Sequence, residues 1–244
     1  MIELKNICKT YGSKQALENV NLTIPRGQII GLFGENGAGK TTLMKSILEL
    51  IPHEGKVTLD GEPVTRRNIH KLSFGTCEHS FFPGLDAKGH KSFYEDHFPS
   101  FRVNRFDGLM DFFRLPRNEK IKHFSTGQKN QFEVVMALSQ GADYILLDEP
   151  FAGSDVFNRD DFYKVLLGIL EPEETVILST HLIDDVAGFI SRAVLIREGM
   201  IVGDTLMEEL DEQGIGLMDY IKSTYHHQPD RILNAIRKIT GEEE

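Results

Sequence analysis

Residues Gly34 to Thr42 read GENGAGKTT, and no other stretch restricts the fold of this chain so tightly. Three glycines within six residues suit neither a helix interior nor a strand, so the backbone must form a loop there. The loop is bracketed by Gln28 to Phe33, a short apolar run with strand character, and by Leu43, Ile47 and Leu50 at helical spacing. Strand, glycine loop and helix in that order match the phosphate-binding pattern G-x-x-x-x-G-K-[ST] at Gly34, Gly39, Lys40 and Thr41, with Glu35, Asn36, Gly37 and Ala38 between the fixed positions. In such a loop the backbone N–H groups turn inward around phosphate oxygens, and the helix start adds a favourable partial positive charge. Lys40 is then expected to meet the β- and γ-phosphates, and Thr41, followed by Thr42, to offer a hydroxyl to Mg²⁺.

The rest of the chain fits this nucleus. Ile2 and Leu4, then Val20, Leu22 and Ile24, alternate with polar neighbours and predict antiparallel strands. Val57 and Leu59 precede the turn pair Asp60-Gly61, and Leu72 and Phe74 predict a strand before Cys77. From about 81 to 140 the texture becomes aromatic and helical, with Phe106, Leu109, Met110 and Phe113 on one face. Strands return at Tyr144 to Leu147, Thr175 to Ser179 and Ala193 to Ile196, separated by predicted helices at Asn158 to Leu170 and Leu182 to Ile190. Strands alternating with helices imply a covered, mainly parallel sheet. From Asp204 the pattern predicts further helices, ending with Ile232, Leu233, Ile236 and Ile239 on one face.

Composition narrows the function classes. With 244 residues the chain can bury a substantial core, and 40% hydrophobic with 26% charged residues is ordinary for a globular protein. A formal charge of −10 argues against nucleic acid as the main partner. The two cysteines, Cys8 and Cys77, are not a C-x-x-C pair, which points to a reducing cytoplasm; Cys77 and His79 have no further zinc ligands at finger spacing. Glu3 and Lys5 interrupt the apolar core that a secretion signal would need, and no apolar run nears the ~20 residues that span a bilayer. A membrane role therefore requires a partner.

Three further segments carry chemistry. Asp148 and Glu149 end the apolar run YILLDEP; successive strand residues point to opposite sides, so the two carboxylates can divide the work. Asp148 suits the Mg²⁺ shell and Glu149 the polarisation of an attacking water, against the alternative of a solvated acidic loop. Ser125-Thr126-Gly127-Gln128 has the form of a helix capping box, which by itself accounts for Ser125; the exposed helix start is also an anion site. His181 follows the strand ending at Ser179, where a surface histidine is the simpler reading.

Taken together and in this order, GENGAGKTT, FSTGQ, YILLDEP and Thr180-His181 make the chain resemble the ATP-binding cassette (ABC) transporter nucleotide-binding subunits, from Tyr11 to about Gly203. The resemblance implies an α/β P-loop fold of ABC type: a mainly parallel sheet core, an N-terminal antiparallel β subdomain and an α-helical subdomain. It divides the chain into an ATPase domain over 1–225, with the helical lobe at about 81–140 inserted, and a C-terminal helical tail over 226–244. It further implies a head-to-tail dimer, homodimer or heterodimer, in which Ser125 to Gln128 meet ATP held by the opposite subunit. Tyr11 would stack on adenine, unless it serves hairpin packing alone. His181 would hold the γ-phosphate, Glu149 and water in place, and Asp155 would lie in the dimer-contacting loop, where Ser154 replaces the usual leucine. Two more departures stand out. Thr126 replaces a glycine, and Glu78 stands where the family's glutamine senses Mg²⁺ and water, keeping an oxygen ligand but adding charge. Phe81, Phe82 and Pro83 open the lobe, either as core packing or as an apolar groove for an integral membrane permease. The implied protein is cytoplasmic, peripheral on the inner face of the membrane through that permease, and most like the cassettes of bacterial exporters. A ribosome- or DNA-acting cassette ATPase is the alternative, and a small-molecule kinase would leave FSTGQ and His181 without purpose.

Overall fold

The alternation at the start of the chain folds as a hairpin: β1 (Ile2–Tyr11) pairs antiparallel with β2 (Lys14–Ile24) across a turn in which Gly12 takes φ 57°. The computed structural model describes residues 1–79, 81–150 and 156–225, with backbone alone at 156–159. After β3 (Ile29–Phe33) the glycine loop leads into α1 (Lys40–Ile47), as the spacing predicts. β4 (Glu54–Leu59) and the two-residue β5 (Glu62–Pro63) complete a four-stranded antiparallel sheet in the order β2-β1-β4-β5.

The second sheet contains β3 with β6 (Leu72–Thr76), β7 (Tyr144–Asp148), β8 (Thr175–Ser179), β9 (Arg192–Arg197) and β10 (Met200–Leu206). Its order is β10-β9-β3-β8-β7-β6, parallel throughout except for β10, which runs antiparallel to β9. Both faces are covered, which is why β7 and β8 are buried along their whole length. Alternate residues of β7 serve different cores. Tyr144 and Leu146 pack with Leu4, Leu22 and Leu43 from the antiparallel sheet and α1, whereas Ile145 and Leu147 pack with Phe106, Phe132 and Leu138 from the helical side. By the same alternation Asp148 belongs to the α1 face.

The helical side holds α2 (Ala87–His97), α3 (Val103–Phe112) and α4 (Thr126–Ser139), then α5 (Val156–Ile169) beyond β7. Asp86 caps α2 by accepting from the Gly89 amide at 2.8 Å. A buried ion pair ties α3 to the base of the sheet: Arg105 donates to both Glu174 oxygens at 2.9 Å just before β8.

Two expectations are corrected. The helix predicted for Leu182 to Ile190 is only four residues, α6 (Ile183–Val186), because the amides of Phe189 and Ile190 both turn back to the Val186 carbonyl around Gly188. The chain near Asp204 is still strand. Glu198 and Gly199, with φ 50° and 81°, make the left-handed two-residue turn that a tight hairpin needs, and β10 follows; helices begin only at α7 (Met207–Glu212) and α8 (Leu217–Thr224). The tail residues 226–244, and with them the predicted apolar face from Ile232 to Ile239, lie outside the described residues. Among the described residues no helix is long and apolar enough to cross a membrane.

Candidate active site

The carboxyl ends of β3, β7 and β8 lie side by side, and the glycine loop crosses above them. In doubly wound sheets this is where ligands bind. An open cleft of ≈ 240 Å³ is lined there by Tyr11, Lys14, Asn36, Lys40, Asp148 and Glu149 among others. Gly39 begins α1 with φ 116°, and a Cβ on it would stand 2.7 Å from the Ala16 carbonyl, so only glycine seats the loop against the antiparallel sheet.

Lys40 is buried; its ammonium donates to the carbonyls of Gly34 at 2.7 Å and Glu35 at 3.2 Å, curling the loop around its own lysine. An ammonium has three donors, so one remains for another acceptor. The next residue, Thr41, donates its hydroxyl to Asp148 Oδ2 at 2.5 Å. Ser179, directly opposite Asp148 in the β7–β8 register, donates to Oδ1 at 2.5 Å. Asp148 is thus fixed between two hydroxyls on the α1 face. Glu149 leaves the strand with φ 47°, an uncommon conformation for a side-chain-bearing residue, held by its amide's bonds to the Ser179 carbonyl at 3.2 Å and hydroxyl at 2.9 Å. That turn sends its carboxylate away from Asp148, to within 3.0 Å of His181 Nδ1 and 3.9 Å of Lys40 Nζ. Cys77 lies below, its thiol 3.4 Å from the Glu149 carbonyl; burial, and then the charges of Asp148 and Glu149, push its pKa up.

A model of the ABC transporter family matches residues 17–152, more than half of the chain. The chain belongs to the ABC transporter family. It is an ATPase domain of that family, and its relatives and structural neighbours have the same character. The ABC transporter ATP-binding protein YtrB of Bacillus subtilis (strain 168) is 28% identical over 222 residues, covering 88% of this chain and 75% of YtrB. The lipopolysaccharide export system ATP-binding protein LptB of Haemophilus influenzae is 28% identical over 227 residues, covering 87% of this chain and 94% of LptB. Among solved structures, an ATP-binding subunit of an ABC transporter superposes with TM-score 0.81 at 20% identity, over 92% of this chain and 99% of that one. A dimeric ATP-binding cassette in a post-hydrolysis state with ADP and Pi superposes with TM-score 0.74 at 24% identity, over 85% and 99%.

On this ABC fold only some of the residues singled out in the sequence come together. Thr41 reaches Asp148, while Lys40 and His181 both reach Glu149, and Lys40, Thr41, Asp148 and Glu149 all line the cleft. Tyr11 stands at the cleft, 48% exposed, with Lys9 Nζ 4.8 Å from its ring centroid. Ser125 and Gln128 form the predicted capping box, Ser125 Oγ accepting from the Gln128 amide and Gln128 Oε1 from the Ser125 amide. That helix start is exposed at Ser125 and Thr126 and is not part of the cleft lining. Glu78 is drawn elsewhere: both its oxygens accept from Lys45 at 2.7 Å, one turn along α1 from Thr41. Asp155 and Ser154 lie outside the described residues.

The donor chemistry suits Mg²⁺. Thr41 and Asp148 present a hydroxyl and a carboxylate oxygen at one point, and Mg²⁺ typically takes one or two protein oxygens with phosphate and water completing the shell. Among the described residues no three His, Cys, Asp or Glu side chains gather as an all-protein cage. Ser179 and Lys14 escaped the sequence reading. Ser179 is found only through strand register, whereas Lys14 follows Tyr11 so closely that the hairpin itself could have flagged it.

Proposed function

We propose that this chain binds Mg-ATP in the Lys40 cleft, pairs with a second ATPase subunit, identical or not, and hydrolyses ATP to drive a separate integral membrane permease. The observation that carries the reading is the Glu149 carboxylate held between His181 Nδ1 at 3.0 Å and Lys40 Nζ at 3.9 Å, beside the Thr41–Asp148 oxygens. Glu149 has the position and the charge to orient a water for in-line attack on the γ-phosphate, and His181 steadies it. Lys40 and the loop amides from Gly34 to Thr42 take the phosphate charge. Thr41 and Asp148 would hold Mg²⁺, which when bound would supply neutralisation of phosphate charge; Glu78 would be free to reach it only on leaving Lys45. Tyr11 offers the exposed ring face for adenine.

Ser125 to Gln128, capped and exposed away from the cleft, are suited to face ATP on the opposite subunit, an arrangement supported by the dimeric neighbour with ADP and Pi. The name of one relative, a lipopolysaccharide export protein, supports export over import. The subunit would then sit on the cytoplasmic face of the membrane through its permease, with no role for nucleic acid. ATP turnover by the full chain tests this. Glu149→Gln is expected to keep nucleotide affinity and to slow hydrolysis by about 10²–10⁴-fold. Unchanged turnover would remove Glu149 from the mechanism.

A further inference from the structure

Tyr225 follows α8 in helical continuation, its amide donating to the Ile221 carbonyl at 3.0 Å, while Leu217 and Ile221 anchor that helix in the core beneath the helical side. Its hydroxyl reaches two backbone carbonyls at once, Phe33 O and Ile196 O, each at 3.2 Å. Phe33 is the last residue of β3, and its carbonyl belongs to the peptide whose N–H is that of Gly34, the first residue of the glycine loop. Gly34 in turn is seated on the second acceptor: a Cβ there would stand 2.4 Å from Ile196 O. One hydroxyl therefore grips both the root of the loop and the surface on which that root rests. From Gly34 the connection continues directly to the phosphate-binding lysine, since Gly34 O accepts from Lys40 Nζ at 2.7 Å. Arg197 closes the arrangement by reaching the Tyr225 carbonyl at 3.4 Å. Burial, and secondly the Glu35 charge, push the phenol up to about 12, so the hydroxyl stays a donor across the physiological range.

We infer that Tyr225 is a positioning residue for nucleotide binding, through which the C-terminal helices α7 and α8 set the geometry of the glycine loop. Tyr225 lies beyond residues 17–152 of the family match, and the inference rests on the reading of that loop as the ATP site. A hydroxyl that only stabilised the fold would lower the melting temperature and leave nucleotide affinity unchanged. One that orients the Phe33–Gly34 peptide must change affinity.

The test measures binding of a fluorescent ATP analogue, ATP turnover and melting temperature for the full chain and three variants. Tyr225→Phe keeps the ring and removes one donor, and is expected to raise Kd and KM roughly three- to tenfold. Its kcat should stay within about twofold, the signature of lost binding rather than lost chemistry. Tyr220→Phe removes a hydroxyl from the same helix that lies beside Gly203 and not at the loop; it should leave Kd unchanged. Lys40→Ala reports on the site reading itself. Loss of binding in Lys40→Ala with wild-type Kd in Tyr225→Phe would overturn the role of Tyr225 and leave the site reading intact. An equal rise in Tyr220→Phe and Tyr225→Phe would reduce both to general destabilisation and overturn the inference. Undiminished binding in Lys40→Ala would overturn the site reading, and the inference with it.

Discussion

Thr126 stands at a proposed phosphate contact where the resemblance leads one to expect glycine, and its neighbours decide what a threonine does there. It occupies the first turn of α4, exposed, while Ser125 and Gln128 satisfy each other's amides without it. The cap does not need the threonine, so its effect is confined to whatever approaches the helix start from outside. A β-branched side chain there should hold a facing subunit back. Thr126→Gly is therefore expected to lower the ATP concentration for half-maximal dimerisation in the Glu149→Gln background, read by sizing chromatography. Extra backbone freedom works against this by roughly 0.5–1 kcal/mol, so unfolding stability must be measured beside it. No shift, or a shift to higher ATP at equal stability, would mean that Thr126 is accommodated.

Where an element was legible in the sequence, its determinants were local. The capping box of α4 and the glycine loop before α1 each need only residues a few positions apart, and both stand where the spacing put them. β10 was missed because its half-buried face carries little alternation, and only its partner β9 makes it a strand. In the site, Asp148 and Glu149 were readable as a strand end. Ser179 was not, because the β7–β8 register that sets it opposite Asp148 is tertiary, and so is the Lys45–Glu78 pair across 33 positions. The segment leading into α2 shows how such a contact controls an element. His90 on α2 is 1% exposed, its Nε2 accepts the Phe82 amide at 3.0 Å, and its Nδ1 donates to the Asp86 carbonyl at 2.9 Å. Only the neutral ring can do both. Burial lowers the His90 pKa, and His79, lowered by burial and then by Lys129, acts in the same direction. Below the ordinary value of about 6.5 the unfolded chain binds more protons than the folded one, so stability falls as pH falls through that range. Melting curves from pH 7.5 to 5.5 should show this, with a falling protection factor against hydrogen exchange at the Phe82 amide. In His90→Gln the slope should shrink; an unchanged slope would exonerate His90.

At the scale of the whole molecule, the groove expectation divides between its two phenylalanines. Phe81 turns inward, its ring edge-on to Phe132 at 5.7 Å and packed on the core, whereas Phe82 is 49% exposed beside the 38% exposed Leu85. Phe82→Ser is expected to weaken assembly with a permease while sparing ATP binding, and Phe81→Ser to lower stability instead. Co-purification and melting temperature together check both, and a Phe82→Ser subunit that assembles normally would remove Phe82 from the interface. The topology has a bearing on biosynthesis as well. Ile30 of β3 pairs with Ile177 of β8 on one side and with Arg192 of β9 on the other. As the chain leaves the ribosome, the glycine loop emerges early, yet the strand beneath it has neither neighbour until nearly the whole domain has been made. Through that interval β3 is an apolar strand with two open edges, the kind of segment that invites chaperones or wrong partners. The nucleotide cleft can take its final shape only at the end of synthesis, so a truncated product from an aborted translation would carry the loop's sequence without its binding geometry.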